Sequence, residues 1–276
     1  MDIGSKIGLK RGKARVPAFA SGQRMNRIFS LDGVSKVFVT EDGREVRALD
    51  DVSLAGATGE FLCLLGPTGC GKTTLLRLLA GLEVPSRGEV RVQGLPPDKT
   101  FRSIGYVFQQ GALFPWRTAL GNVLFGLEAR KWPKAEARKR ARECLSLVKL
   151  DGVENAWPHE LSGGMQQRVA IARAVALEPS LLLLDEPFGA LDEKTRRDLQ
   201  EELLRLWEES GVTLVFVTHN VEEAVSLGQR VVVLGMNPGR IEEEFRVEIP
   251  YPRDPLSPAF VETMIEIRRS INDIVT

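Results

Sequence analysis

Four short segments of this chain carry residues of the kind that handle phosphate. GPTGCGKT, Gly66 to Thr73, spaces its glycines, lysine and hydroxyl so that backbone N–H groups can cradle phosphates, Lys72 can reach the terminal ones, and Thr73 can meet Mg²⁺. LLLLDEP, Leu181 to Pro187, ends an apolar run in two carboxylates, Asp185 and Glu186, and VTLVFVT, Val212 to Thr218, runs directly into His219. LSGGMQQR, Leu161 to Arg168, sets a serine and two glycines ahead of the helix-like VAIARAVA. The chemistry open to such a set is phosphoryl transfer, which asks a protein for positioning and charge stabilisation.

The elements that must position these groups are legible around them. FLCLL, Phe61 to Leu65, has the continuous apolar pattern of a buried strand, and KTTLLRLLA reads as a helix stopped by Gly81. Phosphates bound there meet a helix N-terminus, where unpaired N–H groups and the positive end of the macrodipole favour an anion. LLLLD and VTLVFVT are two more buried strands, each ending in polar residues. In open α/β sheets ligands bind outside the carboxyl ends of the strands, so Lys72, Asp185, Glu186 and His219 can share one site. A blander reading has Asp185 and Glu186 open a loop and His219 cap the next helix. A purely structural turn at residues 66–73 leaves Lys72 unexplained.

The order and company of these motifs resemble the ATP-binding subunit of an ATP-binding cassette (ABC) transporter, over roughly Ile28 to Arg253. The resemblance implies an α/β fold: a P-loop NTPase with a RecA-like core, a small antiparallel β subdomain and a helical subdomain bearing the signature. It implies a nucleotide-binding domain over 28–258 with a helical lobe at about 100–175, preceded by a basic tail over 1–27 and followed by an amphipathic helix over 259–276. ATP would be held by Gly66, Pro67, Thr68, Gly69, Cys70, Gly71, Lys72, Thr73 and Thr74. Phe38 falls where the family stacks an aromatic on adenine, although edge packing of a lone Phe is the alternative. Mg²⁺ would be held by Thr73, Gln109 and Asp185. Glu186 resembles the general base, His219 the switch histidine on the γ-phosphate, and GALD, Gly189 to Asp192, the D-loop.

The signature is the specific part. In the family two cassettes pack head to tail, and the signature of one completes the γ-phosphate pocket of the other; here Ser162, Gly163, Gly164 and Gln166 would do so. One chain with one signature implies a homodimer or heterodimer of cassettes. A serine-glycine helix cap explains the local shape alone.

Lys plus Arg and Asp plus Glu number 37 each, so the chain as a whole has no basic excess pointing to nucleic acid. Its longest apolar runs fall far short of the roughly 20 residues a spanning helix needs, so transport would require separate integral membrane permease subunits, and the resemblance implies a peripheral place for this chain on the cytoplasmic side of the inner membrane. Three unpatterned cysteines, Cys63, Cys70 and Cys144, suit a reducing compartment. Cys70 stands at a helix N-terminus, where a thiolate is expected to be favoured and thiol reagents to inhibit. The first 27 residues set seven basic residues against Asp2 alone and lack the apolar core of a secretory signal.

Pro115 and Trp116 after Gln109, NPGRI at Asn237 to Ile241, and PYPRDP at Pro250 to Pro255 are similar to the nitrate, taurine and alkanesulfonate importer branch. That branch implies a solute-binding protein in the same system. NPGR also reads as a hairpin turn. A soluble ATP-driven machine and an exporter's cassette are the competing functional classes. His159, just before the signature, is read as structural.

Overall fold

Two thirteen-residue runs, Arg27–Val39 (β1) and Glu45–Ala57 (β2), bury only part of their side chains, as an antiparallel sheet with one face on a core should. They pair with Phe38 opposite Val46 and Leu31 opposite Leu54, and their register shifts four times. Phe61–Leu65 (β3), buried throughout, leads through the phosphate loop into Lys72–Leu79 (α1), and Arg87–Val92 (β4) returns to pair antiparallel with β1. These elements belong to the first of two compact units, made of residues up to 97 together with those from 216 onward. The computed structural model describes residues 12–13, 27–109, 111–189 and 191–275; apart from Gly12, Lys13 and Arg27, the basic tail expected over 1–27 lies outside the described residues.

The second unit, residues 98–215, opens on short helical turns over 97–103 that lead into Ile104–Val107 (β5), and continues through Ala119–Ala129 (α2), Lys134–Leu147 (α3) and Gly163–Val175 (α4) to Leu181–Asp185 (β6) and Glu193–Ser210 (α5). β5 and β6 pair in parallel, Ile104 opposite Leu181 through Val107 opposite Leu184. The fully buried Asn122 closes the bend ahead of α2, accepting from Phe114 N–H at 2.7 Å and donating to the carbonyls of Phe114, Arg117 and Thr118. A buried amide is tolerated because its capacity is used locally.

Thr213–Thr218 (β7) is buried along its whole length and carries the chain back to the first unit. There Val221–Leu227 (α6), Arg230–Leu234 (β8), Ile241–Arg246 (β9) and Pro258–Val275 (α7) follow. β3 and β8 pair in parallel and β9 antiparallel to β8, so VVVLG and IEEEFRV form the expected hairpin around NPGR. The PYPRDP segment wraps behind α6: Tyr251 donates to the Leu227 carbonyl, and Arg253 donates to the carbonyls of Val225, Gly228, Val247 and Ile249. Its guanidinium also lies 4.1 Å from the Tyr251 ring centroid.

β5 lies inside the stretch expected to be helical from about residue 100, and β4 shortly before it. β4 buries only two of six side chains and β5 is four residues long, so neither carries an apolar run to betray it. The helical part is narrower than the expected 100–175, with α2 to α4 spanning 119–175.

Candidate functional site

In the first unit the buried strand β3 delivers the phosphate loop to the N-terminus of α1. Gly69 and Gly71 have φ of +87° and +97°, the left-handed region that glycine enters without a Cβ clash. A Cβ on Gly66 would lie 2.7 Å from the Leu234 carbonyl oxygen, and one on Gly71 would lie 2.6 Å from Leu49 Cδ2. The loop is therefore packed from behind, while Thr68 and Gly69 are exposed. Gly71 caps α1 without any side-chain acceptor, and no acidic residue stands in the first turn. No serine or aspartate side chain thus caps this helix start, unlike that of α5. Lys72 is buried and its ammonium donates to the carbonyls of Gly66 and Pro67, both at 2.8 Å, so its charge is held inside the loop's own curve. Thr73 and Thr74 follow in the first turn, half-buried.

Cys70 departs from expectation. It is fully buried with its Sγ 3.9 Å from Lys72 Nζ. Burial raises its thiol pKa, and the neighbouring lysine opposes this only in part. Desolvation outweighs the helix terminus here, so the thiolate anticipated from the sequence is disfavoured. Cys63 and Cys144 are also free and buried.

His219 is exposed directly after β7. Asn220, not His219, caps the helix that follows, accepting from Glu222 N–H at 2.9 Å. Thr218 fixes the approach by donating to Glu223 at 2.5 Å and accepting from Asn220 N–H at 3.0 Å. Phe38 is half-buried on β1, and Lys36 Nζ lies 4.8 Å from its ring centroid. That lysine is itself held by the Glu83 carboxylate at 2.8 Å and the Val84 carbonyl at 2.9 Å.

In the second unit β6 ends in the buried Asp185, whose Oδ2 accepts from Tyr106 Oη at 3.1 Å. Glu186 follows with φ of +44°, a left-handed conformation that costs a non-glycine residue about 1–3 kcal/mol and is characteristic of functional turns. Gln109 Nε2 donates to Glu186 Oε2 at 3.4 Å. The structure therefore brings Gln109 and Glu186 together and adds Tyr106, which the sequence reading passed over. A tyrosine on β5, paired in register with β6 and three residues before Gln109, was the available signal.

The signature forms the start of α4. Ser162 Oγ accepts from Met165 N–H at 3.3 Å, and Ser162 and Gly163 are exposed. Gly164 is buried, and a Cβ there would stand 2.5 Å from Thr195 Cγ2. Gln166 donates to the carbonyls of Pro158 and Leu161. Gly164 and Gln166 thus serve their own chain, and Ser162 and Gly163 form the displayed part. Arg168 anchors the helix by donating to Glu202 at 2.8 Å and to the Val148 carbonyl at 2.9 Å. His159 is exposed in the single turn before it.

A phosphate loop, a strained Asp-Glu turn and a signature helix within one chain define a narrow family. The model of that family, described as ABC transporter, matches residues 49–189, half of the chain. The chain belongs to the ABC transporter family. This cassette is 42% identical over 233 residues to the aliphatic sulfonates import ATP-binding protein SsuB of Bacillus cereus, covering 84% of the chain and 91% of that protein. It is 51% identical over 221 residues to the spermidine/putrescine import ATP-binding protein PotA of Oleidesulfovibrio alaskensis, covering 78% of the chain and 57% of that protein. Among solved structures it resembles the ATP-binding cassette MJ0796 in a dimeric post-hydrolysis state bound to ADP and Pi, with a TM-score of 0.73, 38% identity, and 80% of this chain and all of that one covered. As a member of this family the cassette is an ATP-binding subunit and an ATPase.

Alongside the catalytic motifs, the cassette's second unit presents an aromatic cluster. Phe114 lies 5.5 Å from Trp116 and 4.5 Å from Phe125 between ring centroids, and Trp116 is 70% exposed. Arg117 and Arg173 lie over the rings of Phe125 and Phe114.

Proposed function

We propose that this cassette hydrolyses ATP as one half of a cassette dimer, on the cytoplasmic side of the inner membrane. It drives import of a small sulfonate-, taurine- or nitrate-like solute through separate permease subunits fed by a solute-binding protein. The observation that carries the reading is Glu186, a carboxylate held in a strained turn beside Asp185 with the Gln109 amide 3.4 Å away. A general base must stand within hydrogen-bond reach of the water it deprotonates and must be kept pointing at it. Gln109 supplies the orientation and Glu186 accepts the proton.

Lys72 and the loop N–H groups take the β and γ phosphates, and His219 contacts the γ-phosphate. Phe38 stacks on adenine, its other face steadied by the Lys36 ammonium. The hydroxyl of Thr73, the carboxylate of Asp185 and the amide oxygen of Gln109 are the hard oxygen donors that suit Mg²⁺, and they would hold it; the ion supplies neutralisation of phosphate charge. Ser162 and Gly163 of one cassette complete the phosphate pocket of its partner, which accounts for their exposure and for the open space around Gly163. The Pro115–Trp116 segment and its aromatic cluster receive the permease.

Two relatives are named for importing different solutes, a sulfonate and a polyamine. This supports import as the direction and leaves the choice of solute to the other subunits. The test is affinity purification of the chain from gently solubilised native membranes, with mass spectrometry of what accompanies it. A multi-spanning permease is expected; recovery of soluble or ribosomal partners alone would overturn the importer reading.

A further inference from the structure

NPGR does more than turn the chain between β8 and β9. Gly239 donates its N–H to the Ala48 carbonyl at 3.1 Å, and its own carbonyl accepts from Asp50 N–H at 3.0 Å. The turn is thereby stitched to β2 on both sides of the fully buried Leu49. A Cβ on Gly239 would stand 2.1 Å from the Cys70 carbonyl oxygen and 2.9 Å from that of Ala48. A Cβ on Gly71 would stand 2.8 Å from the same Ala48 carbonyl. Three backbone segments, β2 at 48–50, the phosphate loop at 70–71 and the turn at 237–239, thus meet around Leu49 with no room for a methyl group. On the outside Arg240 pairs with the Asp50 carboxylate through Nε at 3.1 Å and through Nη2, and Gly235 N–H donates to the Arg240 carbonyl at 2.9 Å.

Gly239 is not among the residues of positive φ, so the backbone there would accept alanine. Its requirement for glycine comes from the closeness of the phosphate loop. β2 is also the strand on which Val46 faces Phe38.

We propose that the 237–240 turn is a strut for nucleotide binding, in which Gly239 and the Arg240–Asp50 pair are positioning residues. They set the place of Cys70, Gly71 and Lys72 against β2, and so fix the distance between the phosphate cradle and the strand pair carrying Phe38. The inference rests on the reading of residues 66–74 as the ATP site.

The test compares ATP affinity, KM, kcat and melting temperature of the full chain for Gly239→Ala, for Arg240→Ala, for the exchanged pair Asp50→Arg with Arg240→Asp, and for Lys72→Ala. Gly239→Ala is expected to raise Kd and KM for ATP by about tenfold to about a hundredfold, the scale of one or two weakened hydrogen bonds to a charged group, and to lower the melting temperature through overpacking, with kcat at saturating ATP falling less than KM rises. Arg240→Ala is expected to give a rise of about two- to threefold, as suits an exposed ion pair, and the exchanged pair to restore it. Unchanged KM in Gly239→Ala, or a fall in kcat at saturating ATP as large as the rise in KM, would overturn the strut. If Gly239→Ala fails to fold, the Arg240 variants decide, and a KM indifferent to both removes the proposal. If Lys72→Ala binds ATP normally, the reading of the loop itself fails and the strut falls with it; loss of binding there with an unaltered Gly239→Ala sinks the strut alone.

Discussion

The chain has two glycine-rich helix starts, and they are built on opposite plans. At α1 the loop is packed from behind at Gly66 and Gly71, its lysine is folded into its own curve, and no side chain caps the helix. At α4 a serine caps the helix, Gly164 is packed on Thr195, and Gly163 has no atom within 4 Å of where its Cβ would be. The first start is shaped from within its own unit to close on a ligand. The second is rigid at its base and bare at its tip, as a surface should be when its ligand arrives with another subunit. Glycine therefore means close internal packing at Gly66, Gly71 and Gly164, and outward access at Gly163.

The largest expected effect comes from removing what α1 alone possesses. Lys72→Ala should abolish measurable ATP binding by the monomer in equilibrium dialysis, because the strongest local cation is lost at the loop. Retained binding would mean that the two helix starts do not differ in this way. Next, Glu186→Gln should bind ATP as wild type and lose about 10²–10⁴-fold in hydrolysis, the range typical of general-base removal, leaving a dimer with ATP that persists in size-exclusion chromatography. Turnover near wild type would remove Glu186 from the base role. Ser162→Arg acts on the bare tip. It should block hydrolysis while monomer ATP affinity stays within about twofold, apart from a stability loss of about 0.5–2 kcal/mol from the missing cap; a parallel loss of ATP binding would count against an action across subunits.

Neighbouring glycines sharpen the comparison further. Gly164→Ala places a methyl 2.5 Å from Thr195 Cγ2 and should destabilise the chain by about 1–3 kcal/mol through overpacking, read as a lower denaturation midpoint. Gly163→Ala has open space in its own chain and should leave the midpoint within about 0.5 kcal/mol, since exposed substitutions seldom cost more, yet slow hydrolysis by the dimer. A reversed order of midpoints would break the distinction between a packed base and a displayed tip.

How much of this was legible depended on how local each determinant is. β3, β6 and β7 are continuous apolar runs ending in polar residues, and all three are strands buried throughout. Leu199, Leu203 and Leu206 fall at helical spacing and form the buried face of α5, with Asp192 as its cap. The pairing of β1 with β2 left no such trace, because its register shifts scramble the alternation. Cys70 was misjudged because a helix N-terminus is visible in sequence while burial against Gly66 and Lys72 is not. The contacts of Tyr106 with Asp185 and of Arg253 with the carbonyls of Val225 and Gly228 are long-range in the same sense. Each needs the fold before the partner can be named.

The smallest effect tests why α1 and α4 carry no acid in their first turns. α5 begins differently: Asp192 accepts from Thr195 N–H at 3.0 Å and Glu193 follows in the first turn. An anion stabilises a helix start; α1 and α4, which we propose meet phosphate, go without one, as does α2. The backbone N–H of Thr195 holds the Asp192 carboxyl below its ordinary range. A carboxylate with a depressed folded pKa contributes stability that is complete above the unfolded value and is lost as pH falls through the folded one. Asp192→Asn keeps a good cap and removes only the charge. Its melting temperature should lie slightly below wild type near neutrality, with the gap closing in acid below the usual carboxylate range. A gap that persists there would assign the role of Asp192 to cap geometry, and the comparison between acidic and phosphate-facing helix starts would lose its electrostatic basis.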